Sequence, residues 1–119
     1  MIVGIGTDLI EMNRVVKACE KDSFLRRCFT DKEKILIEQN KTKAAGNFAV
    51  KEAVVKMFGT GFREITPNEI ECLRDELGKP YVNLYGEALH LKEKMGIKTI
   101  HVSISNTKEY AIAFVVGED

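Results

Sequence analysis

Two acidic residues, Asp8 and Glu52, lie in segments of the chain that are otherwise rich in Gly, Ala, Val, Ile and Leu. The segments are residues 4–10 and residues 48–56. A buried carboxylate among aliphatic side chains is destabilising by several kcal/mol unless it is neutralised, hydrogen-bonded or bound to a cation. Two such carboxylates in one small chain therefore predict a metal site.

Glu52 also belongs to a series of side chains with helical spacing. Phe48, Glu52 and Lys56 follow one another at intervals of four residues, so a helix would place them on one face. The same spacing is typical of a hydrophobic contact beside an exposed salt bridge, which is worth only about 0.3 to 0.5 kcal/mol. The residues alone leave both interpretations open.

The first carboxylate is predicted to lie on a strand. Residues 2–10 alternate as a strand does, and Gly4 and Gly6 share the face of Asp8. Two glycines leave open space above the backbone, which we interpret as room for a ligand beside the carboxylate. Residues 11–21 then have helical spacing.

The second carboxylate is predicted to lie on the longest helix. A turn is expected near residues 21–23, and the Thr30-Asp31-Lys32-Glu33 capping box opens a helix that runs to about Gln39. The next helix covers residues 43–58 and ends at Gly59. Its small residues recur every four positions, which predicts close packing on a sheet. They are Ala45, Ala49 and Ala53, followed by Met57.

The second half of the chain predicts strands and one short helix. We expect a turn at residues 66–68, strands at 70–75 and 80–84 forming a hairpin, a helix at 87–95, and final strands at 99–105 and 110–116. The predicted fold class is α+β, with a mostly antiparallel sheet packed on one long helix. Length and the absence of repeats or linkers predict a single domain, residues 1–119.

Composition excludes several classes of partner. The 119 residues include 18 basic and 18 acidic ones, so the molecule has no overall field that favours nucleic acid or an anionic membrane. No segment approaches the roughly 20 apolar residues of a membrane helix, and no cleavable leader is evident. The three cysteines fit neither a metal motif nor a disulfide framework, which predicts a soluble, cytoplasmic protein with reduced thiols.

Three further groups of residues are candidates for binding. Gly59-Thr60-Gly61 could offer backbone amides to a phosphate, or could simply end a helix. His101, Ser103 and Ser105 share one strand face, which suits phosphate recognition or a plain exposed surface. An early basic cluster is either an ordinary solvated helix face or a docking surface. Its members are Arg14, Lys17, Lys21, Arg26 and Arg27.

Taken together, these segments resemble the holo-[acyl-carrier-protein] synthase family, the small bacterial 4'-phosphopantetheinyl transferases. The match covers nearly the whole chain in order and spacing. The residues that carry it are Gly4-Ile5-Gly6-Thr7-Asp8 running to Arg14, Phe48-Ala49-Val50-Lys51-Glu52-Ala53 with Lys56 and Gly59-Thr60-Gly61, Gly78-Lys79-Pro80, and His101-Val102-Ser103-Ile104-Ser105 with Thr107.

The resemblance implies a reaction and a cofactor. Members of this family transfer the 4'-phosphopantetheine arm of coenzyme A to a serine of apo acyl carrier protein, release adenosine 3',5'-bisphosphate and support fatty-acid biosynthesis. Asp8 and Glu52 match the family's Mg²⁺ ligands, which agrees with the preference of Mg²⁺ for carboxylates and substrate phosphate. Lys56 would neutralise phosphate charge, and Glu52 is the candidate that removes the serine proton.

The resemblance also implies binding surfaces and an assembly. The basic cluster would dock the acidic carrier protein, and the active sites of a homotrimer would be shared between neighbouring subunits. The residues expected to line the coenzyme A cleft are Phe48, Lys56, Gly59, Thr60, Gly61, Lys79, Pro80, His101, Ser103 and Thr107.

Two positions depart from the family pattern. Asn47 and Asn106 stand where many members have a basic residue and a histidine, so each departure removes a possible contact to a phosphate or ribose of coenzyme A. Three alternative functions remain: a transferase that serves a different carrier, a Mg²⁺-nucleotide binding module without transfer, and a purely structural trimer. The last of these leaves Asp8 and Glu52 unexplained.

Overall fold

The computed structural model describes residues 1–119 as five strands, five α-helices and one short 3-10 helix. In chain order they are β1 (Ile2–Glu11), α1 (Met12–Ala18), α2 (Asp22–Cys28), α3 (Asp31–Gln39), α4 (Thr42–Phe58), the 3-10 helix Pro67–Glu69, β2 (Ile70–Arg74), β3 (Pro80–Leu84), α5 (Gly86–Lys94), β4 (Thr99–Asn106) and β5 (Tyr110–Glu118). None of the helices combines the length and the hydropathy needed to span a membrane.

All strand pairs are antiparallel, and the predicted α+β class is confirmed. The strands form two sheets rather than the single sheet expected. One has the order β1-β5-β4, and the other is the β2–β3 hairpin, which pairs only with itself. In the larger sheet Asp8 is opposite Ala113, and Ser103 is opposite Phe114. These two pairs lie on opposite faces of the sheet, because residues an odd number apart along a strand point in opposite directions.

Helix α4 packs on β1 through glycines. A Cβ atom on Gly6 would overlap the carbonyl oxygen of Ala53, and one on Gly4 would lie 2.5 Å from the carbonyl oxygen of Met57. The backbone of α4 therefore fills the space above both glycines. Our interpretation of that space as room for a ligand is wrong, whereas the predicted packing of the small-residue stripe on a sheet is confirmed.

A buried ion pair holds α4 from its other side. Lys51 and Glu33 are both fully buried, and their Nζ and Oε1 atoms are 2.7 Å apart. Lys51 Nζ also donates to the carbonyl oxygens of Pro67 and Ile70. Burial lowers the pKa of Lys51, and the charge and hydrogen bond of Glu33 oppose that shift. Charged groups are rarely buried without such partners.

Asn47 completes this network. Its side chain is fully buried and donates Nδ2 to Glu33 Oε2 at 3.0 Å and to the carbonyl oxygen of Cys72 at 2.9 Å. Its own Oδ1 atom has no hydrogen-bond partner. Asn47 is therefore an interior residue of this chain, and its amide binds within the network around Glu33.

The predicted helix over residues 11–21 is only partly right. Helix α1 ends at Ala18, and a second helix, α2, begins at Asp22, where a turn alone was expected. With only seven residues, α2 is too short to give a clear periodic signal. It forms because Cys28 is buried and Phe24 and Leu25 pack against the same core cluster.

Other boundaries were predicted closely. Both hydrogen bonds of the Thr30–Glu33 capping box are present. Gly59 ends α4 with φ of 79°, a left-handed conformation that glycine adopts without strain. The β2–β3 hairpin, α5 and the two final strands lie within about two residues of their expected positions. The expected turn at residues 66–68 is largely the 3-10 helix.

Replacement of Gly6 by alanine tests the contact between α4 and β1. Because the new methyl group would meet helix backbone rather than a flexible side chain, we expect Gly6→Ala to lower the free energy of unfolding by about 3 kcal/mol or more. Urea denaturation at one fixed protein concentration measures the change. Glu38→Ala, at an exposed position of α3, is the control and should stay within about 0.5 kcal/mol of wild type. Equal effects of the two substitutions would contradict the contact.

Glu71 provides a pH-dependent contribution to stability. Its buried carboxylate accepts hydrogen bonds from Thr30 Oγ1 at 2.6 Å, Asn83 Nδ2 at 3.1 Å and the Tyr85 hydroxyl at 2.8 Å. Burial alone would raise the pKa of Glu71, but these hydrogen bonds, helped by the charge of Lys32, hold it below the usual value of 4.5. A depressed pKa means that the ionised form stabilises the folded state.

We expect Glu71→Gln to lower the free energy of unfolding at pH 7 by about 2 kcal/mol, because hydrogen bonds to a charged acceptor are lost. The stabilisation by Glu71 is fully present above its unfolded-state pKa and disappears as the pH falls through the lower folded-state pKa. The difference between wild type and variant should therefore shrink below about pH 4.5. Urea denaturation at pH 7 and at about pH 3.5 measures both differences, and a pH-independent difference would be inconsistent with this role.

Candidate active site

The three predicted catalytic side chains lie at the contact between β1 and α4. Asp8 lies on the face of β1 that is covered by α4, and Glu52 and Lys56 lie one turn apart on that helix. Lys56 Nζ bonds Asp8 Oδ1 at 2.9 Å and the carbonyl oxygen of Thr7 at 3.1 Å. The helix–strand packing described above brings these groups together from positions 44 and 48 residues apart.

The two carboxylates are at the edge of the core rather than inside it. The Asp8 side chain is 14% exposed, and Glu52 is half-buried. Our expectation that both are enclosed by apolar side chains is thus only partly right. The packing of α4 on β1 leaves Asp8 largely covered and bonded to Lys56, whereas the half-buried Glu52 lies at the solvent-accessible edge of the site.

The charges in this site are incompletely balanced. Lys56 is the cation that contacts Asp8, whereas Glu52 has no ion-pair partner. Burial raises the pKa of Glu52, the nearby negative charge of Asp8 raises it further, and Lys56 opposes both. Two neighbouring carboxylates with one ammonium can attract a cation, and a carboxylate with a raised pKa can accept a proton.

The donor set restricts the metals that would fit. No group of three or more His, Cys, Asp or Glu side chains is arranged to hold a metal ion. Zinc sites normally have at least three such protein ligands. Mg²⁺ binds through one or two carboxylates together with substrate phosphates and water, so Asp8 and Glu52 fit Mg²⁺ in the presence of a phosphate-containing ligand.

An apolar groove begins one helical turn before Glu52. Phe48 lies in it, with its ring centroid 5.9 Å from that of Phe24. Leu9 and Arg14 also line this groove. The predicted common face of Phe48, Glu52 and Lys56 is consistent with this arrangement, since Phe48 lies in the groove and Glu52 follows it one turn later on α4.

Most of the basic cluster converges on a second groove beside the first. Its lining includes Arg14, Lys17, Lys21 and Arg27, and Arg14 and Phe24 belong to both grooves. Arg26 is not part of this lining, and its Nε atom instead lies 3.9 Å from Asp22 Oδ2 within α2. The two grooves therefore form one surface, which we call the basic groove, with both apolar and cationic side chains. Its Phe48 lies one turn before Glu52 on α4.

The Gly59-Thr60-Gly61 turn does not present free amides. The amide of Gly59 donates to the carbonyl oxygens of Val55 and Lys56, and the amides of Thr60 and Gly61 donate to that of Val55. These bonds satisfy the end of α4, which favours the helix-stop interpretation over an anion-binding nest. A ligand could therefore contact this segment through the Thr60 hydroxyl or by packing against the backbone surface, but not through free amides.

Several residues expected to line the coenzyme A cleft lie elsewhere in the chain. His101 and Ser103 point from the sheet face opposite to that of Asp8, and His101 Nε2 is 3.0 Å from Glu118 Oε1. Within one chain, the sheet separates them from the carboxylates. The sequence predicted which residues of β4 share a face but could not relate that face to the one that carries Asp8.

The remaining expected residues are in turns. The Thr107 hydroxyl accepts the backbone amides of Glu109 and Tyr110, so it stabilises the β4–β5 turn. Lys79 is exposed beside the β2–β3 turn, and Pro80 lines a polar groove with Asn106. These residues surround a different region of the chain from Lys56.

The sheet face that carries His101 is open and apolar at its centre, a feature that the sequence analysis missed. Ile5 and Leu9 on β1 are 59% and 62% exposed, and Ile112 and Phe114 on β5 are also exposed. The sequence pattern that indicates this face was present: β1 and β5 have apolar residues on both faces, as strands covered on both sides do. A patch of this kind is characteristic of an interaction surface.

Comparisons with known proteins agree on one family. Residues 4–115 match the family ACPS, the 4'-phosphopantetheinyl transferase superfamily. A holo-[acyl-carrier-protein] synthase of Lachnoclostridium phytofermentans is 64% identical over 118 residues, which is 99% of this chain and 97% of the relative.

Two solved structures are similar over nearly their whole length. The holo-[acyl-carrier-protein] synthase of Neisseria meningitidis has a TM-score of 0.87 and 35% identity, with 100% of both chains covered. The Bacillus anthracis synthase, solved in complex with CoA (3',5'-ADP), has a TM-score of 0.81 and 38% identity, with 100% of this chain and 98% of that one covered.

Proposed function

This chain belongs to the holo-[acyl-carrier-protein] synthase family of the 4'-phosphopantetheinyl transferase superfamily, and we propose that it moves the phosphopantetheine arm of coenzyme A onto apo acyl carrier protein with Mg²⁺ as cofactor. The observation that carries this proposal is the meeting of Asp8, Glu52 and Lys56 at one open site. The substrate assignment is supported by the coenzyme A complex of the related Bacillus anthracis synthase.

In the proposed reaction, a serine hydroxyl of the carrier attacks the phosphorus atom that is attached to the pantetheine. A new phosphorus–oxygen bond to serine forms, the bond to the second phosphate breaks, and adenosine 3',5'-bisphosphate leaves. The serine proton must be removed, and the negative charge that develops on the leaving group must be neutralised. Phosphoryl transfer of this type depends mainly on positioning and electrostatic stabilisation.

Asp8 and Glu52 are the residues that would hold Mg²⁺. The fit rests on their incompletely balanced charge and on the two-carboxylate donor set, which leaves room for phosphate oxygens. When bound, Mg²⁺ supplies charge neutralisation at the diphosphate. Glu52, whose pKa is raised by burial and by Asp8, is the proposed acceptor of the serine proton, directly or through a water molecule.

Lys56 is the proposed contact to the leaving phosphate. Its side chain is 54% exposed and its ammonium is already beside Asp8, so it can reach an anion bound at the same edge of the fold. A lysine provides a flexible point charge that suits phosphate oxygens. Gly59, Thr60 and Phe48 flank Lys56 and Glu52 along the chain and are the proposed lining on either side.

The basic groove is the proposed docking site for the carrier protein. Cationic side chains surround an apolar floor made by Phe24 and Phe48, which is the complement of an acidic partner with an apolar contact residue. Arg14 lies where the apolar and the cationic parts meet. Phe48 in the groove lies one turn before Glu52 on α4, so a docked serine would approach the carboxylates.

We further propose that the protein assembles as a homotrimer. The open apolar face of β1 and β5 needs a partner, and His101 and Ser103 lie on that face, away from the carboxylates of their own chain. A neighbouring copy packed on this face would bring His101 and Ser103 toward a second site, and Lys79, Pro80 and Thr107 would line the coenzyme A cleft in the same assembly.

The biological setting follows from this activity. We propose that residues 1–119 form one transferase domain that serves fatty-acid biosynthesis in the cytoplasm. The three unpaired cysteines are compatible with the reducing conditions of that compartment.

The central test is intact-mass spectrometry of apo acyl carrier protein after incubation with the enzyme, coenzyme A and Mg²⁺. We expect a mass gain of one phosphopantetheine that is abolished by a chelator. Asp8→Asn and Glu52→Gln should each reduce the rate at least about 100-fold, because each removes charge stabilisation used in the reaction. Glu38→Gln, at an exposed position of α3, is the control and should leave the rate unchanged.

The outcomes separate the candidate functions. Coenzyme A binding without transfer to any carrier would favour a non-catalytic module, and transfer only to carriers of polyketide or peptide synthesis would change the assigned partner. Full activity of both variants would refute the assignment of Asp8 and Glu52. Urea denaturation of each variant establishes that a loss of rate is not a loss of folding.

A charge reversal tests the docking surface. We expect Arg14→Glu to raise the KM for carrier protein about tenfold and to leave the KM for coenzyme A unchanged, because the substitution places a negative charge in the basic groove. Arg26→Glu changes charge equally but lies outside that groove, so it should have a much smaller effect. The difference between the two variants should diminish in high salt. Equal KM values for carrier in both variants would contradict the proposed surface.

A further inference from the structure

Lys56 occupies the position at which a cation would contact Asp8. Its ammonium bonds Asp8 Oδ1 at 2.9 Å and the Thr7 carbonyl oxygen at 3.1 Å, two oxygen atoms from successive residues of β1. A divalent cation bound to Asp8 would meet this positive charge at short range. The same Asp8 oxygen atom cannot bind the Lys56 ammonium and a divalent cation at full strength at the same time.

We propose that Lys56 is an intramolecular stand-in for the metal ion, which leaves Asp8 when a diphosphate gives its ammonium a new anionic partner. This inference rests on the proposed function, since it assumes a diphosphate substrate and a divalent cation at one site. It assigns Lys56 a second action besides neutralising phosphate: coupling the binding of the metal to the binding of the substrate.

The exposure of the pair sets the strength of this coupling. Lys56 is 54% exposed, and ion pairs that are open to solvent stabilise only weakly. When metal binds alone, the free-energy cost of displacing the ammonium is therefore expected to weaken its binding by about twofold to tenfold rather than prevent it. The long lysine side chain can leave Asp8 by rotation about its own bonds, without movement of α4.

Lys56 forms its ion pair with Asp8 rather than with Glu52. Lys56 lies one turn after Glu52 on the same helix, at a spacing that would allow a pair within the helix. Its ammonium bonds Asp8 instead, and Glu52 has no ion-pair partner. In the free enzyme, Glu52 is therefore open to a cation while Asp8 is occupied, and the second carboxylate becomes available when Lys56 moves.

Thermodynamic linkage predicts that the metal and the diphosphate change each other's binding affinity. If the diphosphate removes Lys56 from Asp8, it raises the affinity for metal, and the metal must raise the affinity for the diphosphate by the same factor. Without Lys56, the metal alone should bind more tightly and coenzyme A alone should bind less tightly. These opposite changes in two separate titrations distinguish a stand-in cation from a residue that simply supports the fold.

The experiment measures binding of Mn²⁺ alone to the full-length protein by electron paramagnetic resonance of the free ion. Lys56→Gln should bind Mn²⁺ about twofold to tenfold more tightly than wild type, and Lys56→Arg, which retains a cation, should bind as weakly as wild type. Lys43→Gln is the charge-matched control, because Lys43 lies 13 residues earlier on the same helix, roughly 20 Å away along its axis. It should leave the Mn²⁺ affinity unchanged.

Equal or weaker Mn²⁺ binding by Lys56→Gln, including no detectable binding, would overturn the proposal. A crystal structure with Mg²⁺ and coenzyme A in which Lys56 Nζ still bonds Asp8 would overturn it as well. The mass-spectrometric assay on wild type is independent of both measurements. Carrier modification that ignores chelators would refute the proposed Mg²⁺ dependence, whereas a normal assay with unchanged Mn²⁺ affinity in Lys56→Gln would refute only the stand-in.

Discussion

The close approach of α4 to β1 determines the geometry of the whole site. At Gly6, no side chain larger than a hydrogen atom fits between the strand and the carbonyl oxygen of Ala53. This distance allows the Lys56 side chain to reach Asp8 from the helix. A larger residue at position 6 would move the two elements apart, and the two carboxylates would separate with them. The glycine is therefore required by the chemistry as much as by the packing.

Helix α4 has a second anchor that faces away from the site. Lys51 and Glu52 are adjacent in sequence, but Lys51 is fully buried in an ion pair with Glu33, whereas Glu52 is half-buried at the site. The Lys51 ammonium reaches the carbonyl oxygens of Pro67 and Ile70, so the ion pair joins α4 to α3 and to the start of β2. Because a buried charge without its partner is strongly destabilising, this network restrains rotation of α4 about its axis. Such restraint keeps Glu52 close enough to Asp8 for their charges to interact.

The sequence predicted local features better than spatial relations. The Thr30 capping box and the left-handed Gly59 were predictable because neighbouring residues determine them. The contact above Gly6 was misread as open space, because the occupying backbone lies almost 50 residues away along the chain. For the same reason, alternation along β4 placed His101 and Ser103 on one face but could not show that Asp8 lies on the other. Contacts between distant segments are absent from any local pattern.

The separation of His101 from Asp8 is the strongest argument that one chain does not complete the proposed site. Their side chains lie on opposite faces of the same sheet, so no loop movement within the chain brings them together. The face that carries His101 also exposes Leu9 and Phe114, which are unfavourable in water. In the proposed trimer, a single packing event buries this apolar face and places His101 next to the carboxylates of another copy. Stability of the assembly and completion of the site would then depend on the same contacts.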